Sequence, residues 1–223
     1  MLLPNSDSEY KRLLKYTGVP TTYRKVVNAI DPSVFHRESQ RQNELLTDVI
    51  CVARIEGRKN QLNVIRAINN TSLRLTIIGK PSPNHLSYYN ECKAAAAGNS
   101  NIRFIEHIEH DKLVRYYMAA KVHILASWFE TTGLSSLEAA AMGCNIVVSD
   151  KGDVKEYFQH YAYYCEPDNT ESITDAILKA FYEPSDPKLK DYVLQNYTWE
   201  KAAKETINAY KSLGLPVNSS PRS

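Results

Sequence analysis

Long apolar runs are missing from this sequence. Nowhere in its 223 residues is there a stretch approaching the roughly 18 consecutive apolar positions that a membrane helix needs, so no spanning helix is expected. The opening "MLLPNSDSEY" is too short and too acidic for a signal peptide. One-sided charge is missing too. The formal net charge is +2, without the concentrated basic stripe that nucleic-acid binding normally shows. The four cysteines, Cys51, Cys92, Cys144 and Cys165, form no CxxC pair and do not cluster with histidine, so zinc is not indicated. Buried thiols in a reducing cytoplasm are expected instead. His85, His107, His110 and His123 fall in no HxH or HExxH spacing, and structural roles are expected for them. No GxGxxG follows any strand, which counts against a nicotinamide or flavin site. There is no internal repeat, and the scattered tyrosines read as core and edge residues rather than a stacking platform for single strands.

What is present is an alternating pattern. A hydrophobic share of 43% and a charged share of 23% suit a soluble globular protein. The length allows one domain, or one domain with part of another. From residue 48 onward, short and nearly continuous aliphatic runs alternate with helical periodicity, the sign of a parallel sheet covered on both faces. The strands are "DVICVAR" (Asp48 to Arg54), "LRLTIIG" ending at Gly79, "NIRFI" (Asn101 to Ile105), "VHILAS", "NIVVSD" and "AYYCE". The first helix between them starts near Lys59 and carries Leu62, Ile65 and Ile68 on one face. The helix through "SYYNECKAAAA" stops at Gly98, and "HDKLVRYYMAA" is the third. The helix of "TTGLSSLEAAAMG" is closed by Gly143. Asn169 caps a helix bearing Ile173, Ile177, Leu178 and Phe181. A doubly wound α/β domain follows, and such sheets bind ligands at the carboxyl ends of their strands. The ends differ from this pattern. The first 35 residues read as one helical stretch after a polar turn and a short strand "KVVNAI". Thr198 caps a final helix with Ala203, Ile207 and Tyr210 on one face, and the tail beyond Leu213 is expected to be disordered.

Two stretches carry candidate chemistry. "ARIEGRKN" places Arg54 and Lys59 just past the first strand, where a guanidinium and an ammonium suit a diphosphate; the alternative is a solvated turn with salt bridges to Glu56. "FETTGLSSLE" places Glu130 and Glu138 around a glycine turn and a helix start whose free N–H groups form an anion site. With Glu138 two turns into the helix, the carboxylates stand roughly 12 Å apart at about 1.5 Å per residue. That is about the reach of a nucleotide diphosphate sugar, whose hydroxyls carboxylates accept well.

Taken together, "ARIEGRKN", "LTIIGK", "NIRFIEHIEHDKLVRYYMAAKVHILAS" and "FETTGLSSLEAAAMGCNIVVSD" resemble, in order and separation, the carboxyl-terminal nucleotide-sugar-binding domain of the retaining GT-B glycosyltransferases of family 4. The resemblance runs from about Val26 to Tyr210 and implies one half of a GT-B fold, a Rossmann-like doubly wound parallel sheet with a C-terminal crossover helix. It implies that Arg54 and Lys59 bind the donor diphosphate and that Glu130 lies near the transferred sugar. Glu138 would take the ribose hydroxyls, the amides of Gly133, Leu134 and Ser135 would face phosphates and sugar, and the main chain of Ile108 would meet the base. No cofactor and no obligatory metal are implied. "VVNAID" is similar to the family's interdomain segment, with Ala29 for the usual glycine. Asn145 stands where proline is common and is expected only to loosen a turn. "DKGDVKE" keeps Gly152 and Glu156 but lacks the usual double glycine. The implied organisation is a remnant of the amino-terminal acceptor domain and linker (1–25), the donor-binding domain (26–196), the crossover helix (197–213) and the tail (214–223).

The family's first domain needs about another 150 residues, so a truncated or split enzyme is expected, inactive without its other half. The implied partners are a nucleotide-sugar and that N-terminal domain or a partner chain. Peripheral membrane association of the parent enzyme, through "EYKRLLKY" and "YRKVV", is set against a solvated helix. A non-catalytic interaction module docking a separate acceptor domain is the rival function.

Overall fold

Aliphatic runs too short for helices and flanked by turn residues become buried strands. The computed structural model describes residues 1–35 and 47–215. Among them, β1 (Val49–Val52), β2 (Leu75–Ile78), β3 (Ile102–Ile105), β4 (Val122–Leu125), β5 (Asn145–Ser149) and β6 (Ala162–Cys165) form one sheet in the order β3-β2-β1-β4-β5-β6. Every neighbouring pair is parallel. β2, β4 and β5 are buried along their whole length, as expected where helices cover both faces. Chain direction across the sheet reverses between β1 and β4, which pair through Val49–Val122 and Ile50–His123. A crevice opens at the carboxyl ends of these two strands.

The helices are α2 (Gln61–Asn69), α3 (Leu86–Ala95), α4 (Leu113–Ala119), α5 (Leu134–Ala141), α6 (Val154–Phe158), α7 (Thr170–Tyr182), α8 (Pro187–Asn196) and α9 (Trp199–Ser212), preceded by α1 (Asp7–Thr17). In α2 the buried stripe is Val64, Ile65 and Ile68, with Leu62 half-buried. α5 buries Leu137 and three successive alanines, Ala139 to Ala141, whose small side chains let its backbone lie close to the sheet. Caps fall where the polar residues put them: the Asn169 side chain accepts from the Ser172 N–H at 3.0 Å and Thr198 from the Lys201 N–H at 3.4 Å.

Several local expectations are corrected. "KVVNAI" forms no strand; Ile30 bridges Thr198, donating to the Tyr197 carbonyl at 2.9 Å and accepting from the Trp199 N–H at 3.3 Å. The segment therefore bonds to the α8–α9 junction and not to the sheet. In α9 the buried residues are Ala202 and Ala209, while Ala203, Ile207 and Tyr210 share an outward face. Asn145 does not loosen its turn: its buried amide donates to the Ala180 and Glu183 carbonyls at 2.6 and 3.2 Å, tying down the end of α7. Neither α6 nor α8 was anticipated, although Asp186 accepting from the Lys188 N–H (2.9 Å) and Pro187 in the first turn mark the start of α8. Of the tail expected to be disordered, residues 216–223 lie outside the described residues. No helix among the described residues is long and apolar enough to cross a membrane.

Candidate functional site

β1 ends at Val52 and the chain turns through Arg54 into a single 3-10 turn, Gly57–Lys59. Asn60 follows in the left-handed region (φ 59°), a conformation asparagine tolerates better than most residues. Its side-chain amide donates to the Ala126 and Pro167 carbonyls at 2.9 and 2.7 Å, pinning this turn to the exits of β4 and β6. Lys59 is thereby aimed across the crevice at Glu130, with which it forms an ion pair; the two side chains are only 13% and 9% exposed. Ser127 Oγ lies 3.4 Å from the same carboxylate oxygen.

Glu130 is followed by Thr131, Thr132 and Gly133. Gly133 caps α5 at φ 70°, ψ 65°, where glycine avoids the cost a side chain would bear. Its carbonyl accepts from Ser136 and Leu137 at 2.8 and 3.1 Å, leaving the first-turn amides of Leu134 and Ser135 without intrahelical acceptors. Asn28, from the segment before β1, donates to Thr132 Oγ1 at 2.8 Å. Together Asn28, Arg54, Arg58, Lys59, Glu130 and the 131–135 turn line a cavity of about 270 Å³. The lining thus brings together three cations, a helix start with free amide N–H groups, a carboxylate and small hydroxyls. An anion bridged between cations and amides, continuing into a hydroxyl-rich group beside Glu130, fits this arrangement.

Of the residues singled out in the sequence, Arg54, Lys59, Glu130, Gly133, Leu134 and Ser135 are brought together here. Arg54 is 67% exposed and also pairs with Glu56 at 3.5 Å, so the cavity role and the Glu56 salt bridge coexist. Burial would raise the Glu56 carboxyl, but Ser82, Arg54 and Arg58 outweigh it and hold it below its ordinary value. Glu138 and Ile108 lie outside the cavity lining. α5 begins at Leu134, so Glu138 sits about one turn in, roughly 6 Å along the axis, and not two turns as expected. Glu138 accepts from Tyr117 Oη at 2.9 Å, and its other oxygen lies 2.9 Å from His110 Nε2. Burial first, and then Glu138, keep the Tyr117 hydroxyl protonated far above its usual range. Ile108 lines a neighbouring hollow with His107, Glu109, Lys112, Arg115 and Tyr116.

Sequence reasoning missed Arg58, which donates to the Phe129 carbonyl at 3.0 Å, and missed Asn28 and Thr132. It also gave His110 a purely structural role, whereas His110 sits on Glu138. Arg58 immediately precedes Lys59 in "GRKN". His123 is buried, as its strand requires, and neither ring nitrogen has a hydrogen-bond partner among the described residues. Cys51, Cys92 and Cys165 are buried thiols, and Cys144 Sγ donates to the Tyr117 carbonyl at 3.1 Å.

The sheet order and the crevice at its reversal define a Rossmann-like domain of the GT-B type. The chain belongs to the glycosyl transferases group 1 family, whose profile matches residues 34–213. An uncharacterized glycosyltransferase of Methanocaldococcus jannaschii is 28% identical over 174 residues, covering 73% of this chain and 44% of that protein. A glycogen synthase of Clostridium botulinum is 24% identical over 189 residues, covering 77% of this chain and 39% of that enzyme. The chain thus spans less than half the length of these relatives. Among solved structures, sucrose-phosphate synthase of Thermosynechococcus elongatus superposes with a TM-score of 0.83 at 18% identity, over 95% of this chain and 58% of that one. Anabaena HepE, in complex with UDP-glucose, superposes with a TM-score of 0.81 at 14% identity, over 96% of this chain and 63% of that one.

Proposed function

We propose that this chain is the donor-binding half of a retaining family 4 glycosyltransferase, which moves a hexose from a nucleoside diphosphate sugar to a glycan, lipid or other acceptor. The observation that carries the reading is the cavity at the strand reversal, whose lining joins Arg54, Arg58 and Lys59 with the helix start at Leu134 and Ser135. Arg54 and Lys59 bind the diphosphate and stabilise it as leaving group, together with the helix-start amides. No metal is then obligatory. Glu130 accepts a hydroxyl of the transferred sugar and Glu138 the ribose hydroxyls. The base rests against the main chain of Ile108, a reading supported by the neighbouring His110, whose Nε2 lies 2.9 Å from the Glu138 carboxylate. Neither carboxylate needs to act as a general base. The acceptor comes from a second Rossmann-like domain, so this half alone binds donor and does not turn over. Buried thiols favour a cytoplasmic setting, with the parent enzyme at a membrane surface when its acceptor is a lipid.

Calorimetry of the chain with UDP-, GDP- and ADP-sugars tests this. One of them binds, and Arg54→Ala and Glu138→Ala each weaken it. No binding across the panel, or binding indifferent to both substitutions, overturns the reading.

A second reading, a non-catalytic half that docks a separate acceptor domain, is favoured by the outward apolar residues of the terminal segments. Leu3, Tyr16, Val19, Trp199, Ile207 and Tyr210 are each at least 38% exposed, a surface that covers itself when a partner half is available. Under this reading the panel gives no binding while gel filtration shows association.

A further inference from the structure

Glu130 is held by its backbone as well as by Lys59. Its N–H donates to the Lys151 carbonyl at 3.2 Å and its carbonyl accepts from the Asp153 N–H at 2.9 Å, so the 151–153 loop lies beside it as a parallel bridge with Gly152 opposite. The loop follows β5 and must itself be fixed for this bridge to define where Glu130 points. Its fixed point is Asp153, whose side chain is wholly buried. The Asp153 carboxylate accepts from Arg12 Nη1 and Nη2 at 2.5 and 2.7 Å and from Ser6 Oγ at 2.7 Å. A buried carboxylate is costly unless it is paired with good geometry, and the two-pronged guanidinium contact supplies that.

The same Arg12 guanidinium lies 5.1 Å from the centre of the Phe129 ring, and Phe129 immediately precedes Glu130. Arg12 therefore touches both sides of the bridge: Asp153 through charge, and the 129–130 segment through the aromatic face. α1, which carries Arg12, is seated on α6 by Glu156, whose carboxylate accepts from the Asp7 and Ser8 N–H groups at 2.9 and 2.7 Å. Asp153 adopts φ −109°, which any residue can take, so the aspartate serves its contacts and not a backbone constraint.

We propose that Arg12 and Asp153 are positioning residues that fix Glu130, so that the segment before β1 governs how the site holds the sugar of its donor. This rests on the donor-site reading, since it takes Glu130 as the sugar-facing carboxylate. Neither residue lines the cavity, and neither is catalytic. Hydrogen exchange on the full chain tests the clamp without any ligand. In Arg12→Met and in Asp153→Asn, the amides of Glu130 and Asp153 exchange about tenfold faster or more, while those of Ile124 and Val147 in the central strands keep wild-type protection. Should Arg12→Met fold poorly, Asp153→Asn, which keeps the side chain's shape and its Ser6 contact, decides the matter.

The second arm is affinity. Whichever of UDP-glucose, GDP-mannose and ADP-glucose binds the wild type binds the variants about tenfold more weakly, while the matching nucleoside diphosphate without sugar binds within about twofold of wild type. Arg12→Lys, which keeps the charge but loses the two-pronged contact, falls between. Unchanged exchange at Glu130 and Asp153 overturns the clamp. So does faster exchange spread evenly over β4 and β5, which marks a plain stability role, or equal weakening of nucleotide and sugar nucleotide. If no sugar nucleotide binds the wild type, the donor reading falls, while the exchange measurement still decides whether Arg12 and Asp153 hold Glu130.

Discussion

Glu130 and Glu138 lie eight positions apart in one sequence stretch, yet their surroundings differ in kind. Glu130 is bridged through its backbone to the 151–153 loop and paired with a lysine as enclosed as itself. Glu138 lies within α5, its carbonyl accepting from the Met142 N–H at 3.1 Å, and among the described residues its carboxylate meets no lysine or arginine but a buried tyrosine hydroxyl and an imidazole that is 62% exposed. The two carboxylates are similarly enclosed, 9% and 12% exposed, and differ in what answers their charge: an enclosed lysine for the first, a hydroxyl and a solvent-side ring for the second. If both carboxylates hold the donor as proposed, damage around Glu130 should appear as lost stability together with lost binding, and damage at Glu138 as lost binding almost alone.

The largest effect that would break this contrast comes from Lys59. Replacing it in Lys59→Met leaves Glu130 enclosed and uncompensated, and breaking such a pair costs about 3 kcal/mol. Urea unfolding of Lys59→Met should show that loss, and the double variant Lys59→Met/Glu130→Gln should recover a good part of it. A fully additive double variant would mean the two groups are independent. Next comes Gly152→Ala. At φ +98° an added Cβ would stand 2.1 Å from the Glu130 carbonyl oxygen, so the backbone must shift. The expected cost is about 2 to 3 kcal/mol, with the melting temperature and donor binding falling together. A stable Gly152→Ala that binds normally would show that the bridge does not set the site.

How far these neighbourhoods were legible beforehand follows the same division. The strands and their parallel sheet were readable because "VICV", "LTII", "VHIL" and "NIVVS" are aliphatic runs with one reading in a parallel sheet, whereas their order across the sheet was not. Arg54, Lys59 and the 133–135 turn were readable because strand ends and helix starts are local. The contacts that fix Glu130 were not, since Arg12 and Asp153 stand 141 residues apart and neither has a neighbour that announces the other. The His110–Glu138 contact spans 28 residues and two elements, so His110 looked like any loop histidine. Helical periodicity grouped Ala203, Ile207 and Tyr210 correctly on one face of α9 but could not say which way it points. That depends on the smaller Ala202 and Ala209, which allow the closer approach.

Glu138→Gln sharpens the comparison from the other side. The amide keeps the side chain's size and can still accept from Tyr117, so unfolding free energy should stay within about 1 kcal/mol of wild type. Sugar-nucleotide affinity should nevertheless fall roughly tenfold or more, because a hydrogen bond to a charged acceptor is worth about 1.5 to 3 kcal/mol. Calorimetry paired with urea denaturation separates the two readouts. A Glu138→Gln protein as destabilised as Lys59→Met would erase the distinction between the two carboxylates.

The smallest effect lies between the two neighbourhoods, at His123 on β4. Its ring stands 5.9 Å from that of Tyr117, the partner of Glu138, and burial, with Lys59 nearby, lowers its pKa from 6.5 to about 3. As pH falls through 6.5 the unfolded chain takes up a proton that the folded chain refuses. The stability this residue allows is therefore complete above pH 6.5 and declines below it, by about 1.4 kcal/mol between pH 7.5 and 5.5. His123→Leu abolishes that loss and, by removing two buried ring nitrogens without partners, should raise stability at pH 7.5 by about 1 kcal/mol. Urea midpoints of both proteins at the two pH values measure this. If wild type and His123→Leu lose stability in parallel, the acid sensitivity belongs to carboxylates held below their ordinary range by cations and hydrogen bonds, such as Asp48 beside Arg74 and Asp150 beside Lys155 and Lys151.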